Sequence, residues 1–192
     1  MNHVYGSALL IVGLVLSNVV HAHIGVHGDG FATGLLHPFT GADHMLAMVA
    51  VGLWAAQAGG RRLIAVPATF VAAMALGAVV GMSGGPLPFA EAGISASVLV
   101  LGLLLAFAVR ASWQWAIPLT ALCALFHGYA HGTSIPEFSN PAHYFAGFLM
   151  ATAVLHASGV AAAVTLGNQA SALRAGGVAI SFAGLWMVLS LY

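Results

Sequence analysis

The stretch HPFTGADHMLAM, residues 37–48, sets His37, Asp43 and His44 directly before the apolar run MVAVGLWAAQ that opens at Met48. The run reads as the inside of a lipid bilayer. A carboxylate and two imidazoles at its mouth demand a reason, because charge is scarce elsewhere. Of 192 residues, 61% are hydrophobic and 4% charged, and mean hydropathy is +1.01. A soluble domain carries about 25% charged residues, so this chain belongs to the membrane class. Zero net charge and no basic patch exclude nucleic acid as a partner. A single cysteine, Cys123, excludes an internal disulfide and multi-cysteine metal sites. Ten histidines stand against eight charged side chains, and histidine is the commonest metal ligand.

Residues 1–22 carry an apolar stretch from Ala8 to Leu16 and then Val20-His21-Ala22, a small-residue cleavage pattern. This reads as a signal peptide, though no Lys or Arg precedes the apolar stretch. Residues 23–36 then form a periplasmic leader in which His23 and His27 are candidates for loose metal capture; an incidental polar leader is the plain alternative.

Residues 37–192 contain six apolar stretches long enough to span, at about 20 residues each: 38–57, 63–82, 89–109, 112–131, 142–166 and 174–191. The expected fold is all-α, a polytopic membrane helix bundle of six transmembrane helices after a cleaved signal peptide, or seven if the leader is retained. Arg61, Arg62, Arg110 and Arg174 fall on one side of this layout, which the positive-inside rule makes cytoplasmic. Asp29, Glu91 and Glu137 fall on the other. The mature termini are then both periplasmic. Gly77/Gly81 and Gly128/Gly132 have the GxxxG spacing that lets membrane helices approach closely, although glycine is also common in such helices without that role.

Pro38 suits a first helical position, with His37 as a cap at the outer edge. Helical rise of about 1.5 Å per residue places Asp43 and His44 about 10 Å deeper. On one straight helix His37, His44 and Met48 share a face, and Asp43 points about 100° away, toward a histidine of a neighbouring helix whose tautomer it would fix. Gly41 could loosen that turn. Cys123, His127 and His131 follow at i, i+4 spacing on one face of the fourth span; the two histidines can chelate one ion, while the cysteine suits a small apolar filler. His156 falls deeper, past the midplane. His143, at the outer edge, reads as a structural histidine, and Met45 and Met48 as packing more than soft ligands. An ionised carboxylate in the bilayer costs several kcal/mol and is functional by default, so Asp43 carries the strongest signal of a metal or proton role. Imidazole suits Ni, Co, Zn and Cu ions, and a carboxylate with imidazoles but without thiolates argues against a Cu(I) site.

These residues resemble a known family. His37, Pro38, Gly41, Asp43, His44, Met48, Val51 and Gly52 match the signature of the HupE/UreJ nickel and cobalt transporters. HGYAHG, with His127, Gly128, His131 and Gly132, and ATAVLHASG around His156 are similar to it as well. The resemblance implies uptake of Ni²⁺ or Co²⁺ across a bacterial inner membrane, supplying nickel or cobalt enzymes downstream. It implies that His37, Asp43 and His44 are essential to the metal site, with His127 and His131 next. The expected mechanism is capture by His23 and His27, dehydration at His37, His44, His127, His131 and Asp43, and passage past His156, with Met48 and Glu137 as further pathway candidates. No nucleotide-binding motif is present and no permanently bound cofactor is expected. Homo-oligomerisation is left open. The rival reading is an intramembrane zinc hydrolase, in which the ion would activate water.

Overall fold

In a computed structural model, residues 30–167 and 169–192 are described; residues 1–29, which include the expected signal peptide and His23 and His27, lie outside them, while residues 31–36 of the expected leader are helical. The described residues are helical with no strands: α1 (Phe31–Thr40), α2 (Ala42–Ala58), α3 (Arg62–Met82), α4 (Ala90–Ala106), α5 (Trp113–Thr133), α6 (Pro141–Leu166) and α7 (Ala170–Leu189). By length and hydropathy, α3, α6 and α7 are each able to cross a membrane. The α1–α2 pair qualifies only taken together, and it is bent by 85°. Helix α4 is apolar but shorter.

The bend corrects the expectation of one straight span over 38–57. Gly41 breaks the helix in an extended conformation, φ −104° and ψ 120°. Position 41 has no room for a side chain: a Cβ there would lie 2.6 Å from the Asp43 carboxylate and 3.3 Å from His44 Nδ1. His37 and Pro38 therefore do not open the span; they sit in the last turns of α1. The C-terminal end of α1 is closed instead by the Thr40 hydroxyl, which donates to the His37 carbonyl at 2.7 Å.

Small residues set how the helices meet. Gly128 and Gly132 of α5 lie on the Met74 and Ala78 carbonyls of α3, and Gly77 and Gly81 of α3 lie on the Leu125 and Tyr129 carbonyls of α5. The two GxxxG pairs thus face each other and hold α3 and α5 backbone to backbone. The same device joins α2 to α6 at Gly52 and Gly159, α1 to α6 at Gly34 and Gly147, and α4 to α7 at Gly102, Gly177 and Gly184. In lipid no hydrophobic force drives helices together, so close van der Waals contact of this kind is the main source of cohesion.

Side chains tie off the C-terminal end of α4, whose last carbonyls have no partner within the helix. Arg174 Nε donates to Ala106 O at 2.9 Å, Gln57 Nε2 to Leu105 O at 3.3 Å and Trp54 Nε1 to Val109 O at 2.8 Å. Arg62 lies over the Trp113 ring, 5.7 Å from its centre. Arg62 and Arg174 therefore meet the 106–113 connection, which carries Arg110, at one end of the bundle. Helices α2, α4 and α6 run toward this arginine end, and α3, α5 and α7 run away from it. Glu91 and Glu137 are exposed at the opposite end. Ile64, Leu76, Trp115, Phe182 and Trp186 are exposed while His44, His127, His131 and His156 are buried. Apolar outside and polar inside is the organisation of a protein solvated by lipid, and the chain is a multi-pass membrane protein.

The crossings make a prediction. Gly128→Ala drives a methyl into the Met74 carbonyl and should destabilise the detergent-solubilised protein by about 1–3 kcal/mol. Gly176→Ala meets nothing within 4 Å and should be neutral or raise stability by up to about 1 kcal/mol. Thermal unfolding followed by size-exclusion fluorescence compares the two; equal melting behaviour would rule out the α3–α5 contact as described.

Candidate metal centre

Four imidazoles from three helices gather at the end opposite the arginines. His37 comes from α1, His44 from the first turn of α2, and His127 and His131 from successive turns of α5. Ring centres of His44 lie 4.8 Å from both His127 and His131. His37 lies 4.8 Å from His131 and 6.0 Å from His44. His131 is stacked on Phe148 of α6, 4.5 Å away and 2° from parallel, which fixes its plane. Phe148 is seven residues, about 10 Å, along α6 from Pro141. The cluster is thus level with that turn of α6, and His37 lies within it and not about 10 Å above His44 as counted, because α1 runs beside the start of α6 and is not an extension of α2.

Asp43 does not reach a neighbouring helix. Its Oδ1 accepts from His44 Nδ1 at 2.8 Å and from the His44 backbone N–H at 2.7 Å. The helix starts at Ala42, so Asp43 is in its first turn, where backbone N–H groups lack partners and the dipole favours a carboxylate. Local capping geometry thus overrides the angular separation of an ideal helix. The bond to Asp43 assigns the His44 proton to Nδ1, and in the neutral ring leaves Nε2, buried and without a partner, as a lone-pair donor.

Ser97 of α4 fixes a second tautomer. Its Oγ is 2.7 Å from Ile94 O and 2.7 Å from His127 Nε2. A carbonyl only accepts, so the single hydroxyl proton goes to Ile94 and His127 Nε2 must donate to Ser97. His127 Nδ1 then carries the free lone pair, and it too is buried without a partner. Both His131 nitrogens are in the same condition. Buried polar atoms are almost always satisfied, so this concentration of unpartnered imidazole nitrogens marks a place for a ligand that accepts lone pairs. Among the described residues no three His, Cys, Asp or Glu side chains already close around one ion position; the rings pack edge to face, and ligation requires them to turn.

The remaining candidates fall in different places. His156 is buried deeper in α6 and is not part of the four-ring cluster. Met48 is fully buried one turn below His44, in the core. Cys123 is buried beneath His127 on α5. Glu137 lies in the exposed α5–α6 connection, and His143 is exposed in the first turn of α6. Sequence reasoning missed Ser97 and Tyr144. Tyr144 is fully buried 6.0 Å from His37, with its hydroxyl unpartnered. Neither residue carried a signal: a serine in a membrane helix usually bonds its own preceding carbonyl, and a tyrosine near a helix start suits the interface.

A family model described as "HupE / UreJ protein" matches residues 10–187. The chain belongs to the HupE/UreJ family. It is 45% identical over 176 residues to Protein HupE of Rhizobium leguminosarum bv. viciae, a match covering 91% of this chain and 92% of that protein. No solved structure matches. The span matched by the family model contains the whole imidazole cluster, together with Asp43, Ser97 and His156.

The role given to Ser97 is open to measurement. Partners that orient a ligating histidine typically contribute 10–100-fold to metal affinity, so Ser97→Ala should weaken by about that factor the binding of any ion that the cluster ligates. Ser97→Thr, which keeps the hydroxyl, should restore most of it. Calorimetric titration of the purified protein reads both; full affinity in Ser97→Ala would exclude the anchoring role.

Proposed function

We propose that the protein is a transporter that takes up Ni²⁺ or Co²⁺ from the periplasm to the cytoplasm through the imidazole cluster. The observation that carries this reading is the set of unpartnered nitrogens on His44, His127 and His131, buried beside His37 and Asp43 at the end opposite the arginines. Borderline imidazole donors with one carboxylate suit these ions. Membership of the HupE/UreJ family supports the same substrates. Rings that must turn to ligate suit a site that releases its ion as well as binding it.

The membrane arrangement in this proposal has six crossings, α2 to α7, with the arginine end cytoplasmic and the mature termini periplasmic. Helices α3 and α5 are parallel neighbours, so α4 must return the full distance between their ends. Helix α5 is as long as α3, and its polar residues His127 and His131 face the interior. A cleaved leader delivers His23 and His27 to the outer surface as a capture segment. The transported ion is the only metal required, and no ATP is hydrolysed. The membrane potential supplies the drive, about 4.6 kcal/mol for a divalent cation per 100 mV. The zinc hydrolase alternative gains nothing from the geometry. Asp43 is engaged by His44, and the other described acidic side chains, Glu91 and Glu137, are exposed, which leaves no second acid beside the cluster among the described residues.

Radiolabelled Ni²⁺ and Co²⁺ uptake, in a host lacking other importers, tests the reading. His37→Ala and His44→Ala remove donors and should abolish uptake. Asp43→Ala releases the His44 ring and should lower uptake by about 10–100-fold. Wild-type uptake in all three variants, with normal protein in the membrane, would refute the site.

A further inference from the structure

The imidazole cluster ends at a phenyl ring. Phe70 of α3 is fully buried, with its ring centre 5.9 Å from His127 and 5.1 Å from His156. It meets the His156 ring edge to face, at 89°. The ring thus packs against both the cluster, through His127, and His156, which is buried with neither ring nitrogen partnered. Two unsatisfied nitrogens in an apolar interior are costly unless a ligand or water reaches them.

The residues around the ring offer a passing ion little. Thr152 gives its hydroxyl proton to the Phe148 carbonyl at 2.8 Å, and Met74 Sδ, one turn along α3, lies 3.8 Å from the same oxygen. Met48 and Phe148 are likewise fully buried and apolar. Pro67 lies inside α3, three residues before Phe70. It has no N–H to give the Leu63 carbonyl, so the turn that leads to Phe70 holds one hydrogen bond fewer than a regular helix. That turn is a place where α3 can shift at low cost.

We propose that Phe70 is a hydrophobic barrier dividing an outer ion station, the four-imidazole cluster, from an inner one centred on His156. Apolar constrictions stop ions by excluding water. An ion leaves the outer cluster only when the Phe70 ring moves aside, and His156 then accepts it. The inference rests on the transport reading above for its purpose, but its geometry stands without it.

The test therefore does not depend on Ni²⁺ or Co²⁺. In full-length protein carrying Cys123→Ala, His156→Cys places a thiol beyond the ring and His131→Cys places one before it. Ag⁺, added to the histidine-end face of sealed vesicles, is scored by its block of later maleimide labelling. Phe70→Ala should speed Ag⁺ reaction at position 156 by roughly tenfold or more, as expected on opening a dewetted constriction, and leave the rate at position 131 unchanged. Phe70→Leu, which keeps an apolar side chain to fill the core, should give a smaller rise in the same direction and serves if Phe70→Ala fails to insert. Equal rates at position 156 whatever stands at position 70, or equal acceleration at both positions, would overturn the barrier. Acceleration at position 156 alone, in a protein that takes up neither Ni²⁺ nor Co²⁺, would uphold the barrier and refute the transport reading.

Discussion

Backbone contact at glycine holds this protein together. A chain that is apolar on its outside cannot use water to press its helices together, so cohesion must come from surfaces that touch closely. Gly77, Gly81, Gly128 and Gly132 bring α3 and α5 into backbone contact. Gly52 and Gly159 do the same for α2 and α6. These crossings decide which side chains end up enclosed. His127 and His131 share α5 with Gly128 and Gly132, and His156 is on α6 one turn from Gly159. The residues that pack the bundle and those that carry its polarity alternate along the same helices.

Enclosure gives each polar group only a few ways to be satisfied. Asp43 and His44 satisfy each other at the start of α2, and the His44 amide adds a second bond to the same carboxylate oxygen. Ser97 satisfies one nitrogen of His127. What is left over is a set of lone-pair donors, one on each of His44, His127, His131 and His156. Replacing any partner would leave a buried polar atom stranded, at about 1–3 kcal/mol. Phe70 packs against two of these rings, His127 and His156.

Much of this was legible in the sequence. Five of the six expected spans, from 63–82 to 174–191, lie within a few residues of observed helices, because runs of apolar residues between Gly, Pro and Ser breaks leave few other choices. The arginines gather at one end, as their spacing implied. The i, i+4 pair His127 and His131 shares a buried face because both lie on one unbroken helix. The first span is where counting failed. A periodicity of 100° per residue assumes one axis, and Gly41 turns the axis by 85°. His37 and His44 still meet, but across a corner and not along a face.

By itself the sequence determined the solvent, the helical class and the residue types available for chemistry, since composition and periodicity follow directly from what lipid tolerates. Only the tertiary structure decided which of those residues meet. Ser97 reached His127, Phe148 stacked on His131, and Phe70 packed against both His127 and His156 through contacts between helices distant in the chain. Such contacts depend on how deeply one helix nests into another at its glycines. That depth is a property of two surfaces in contact, and neither helix encodes it alone.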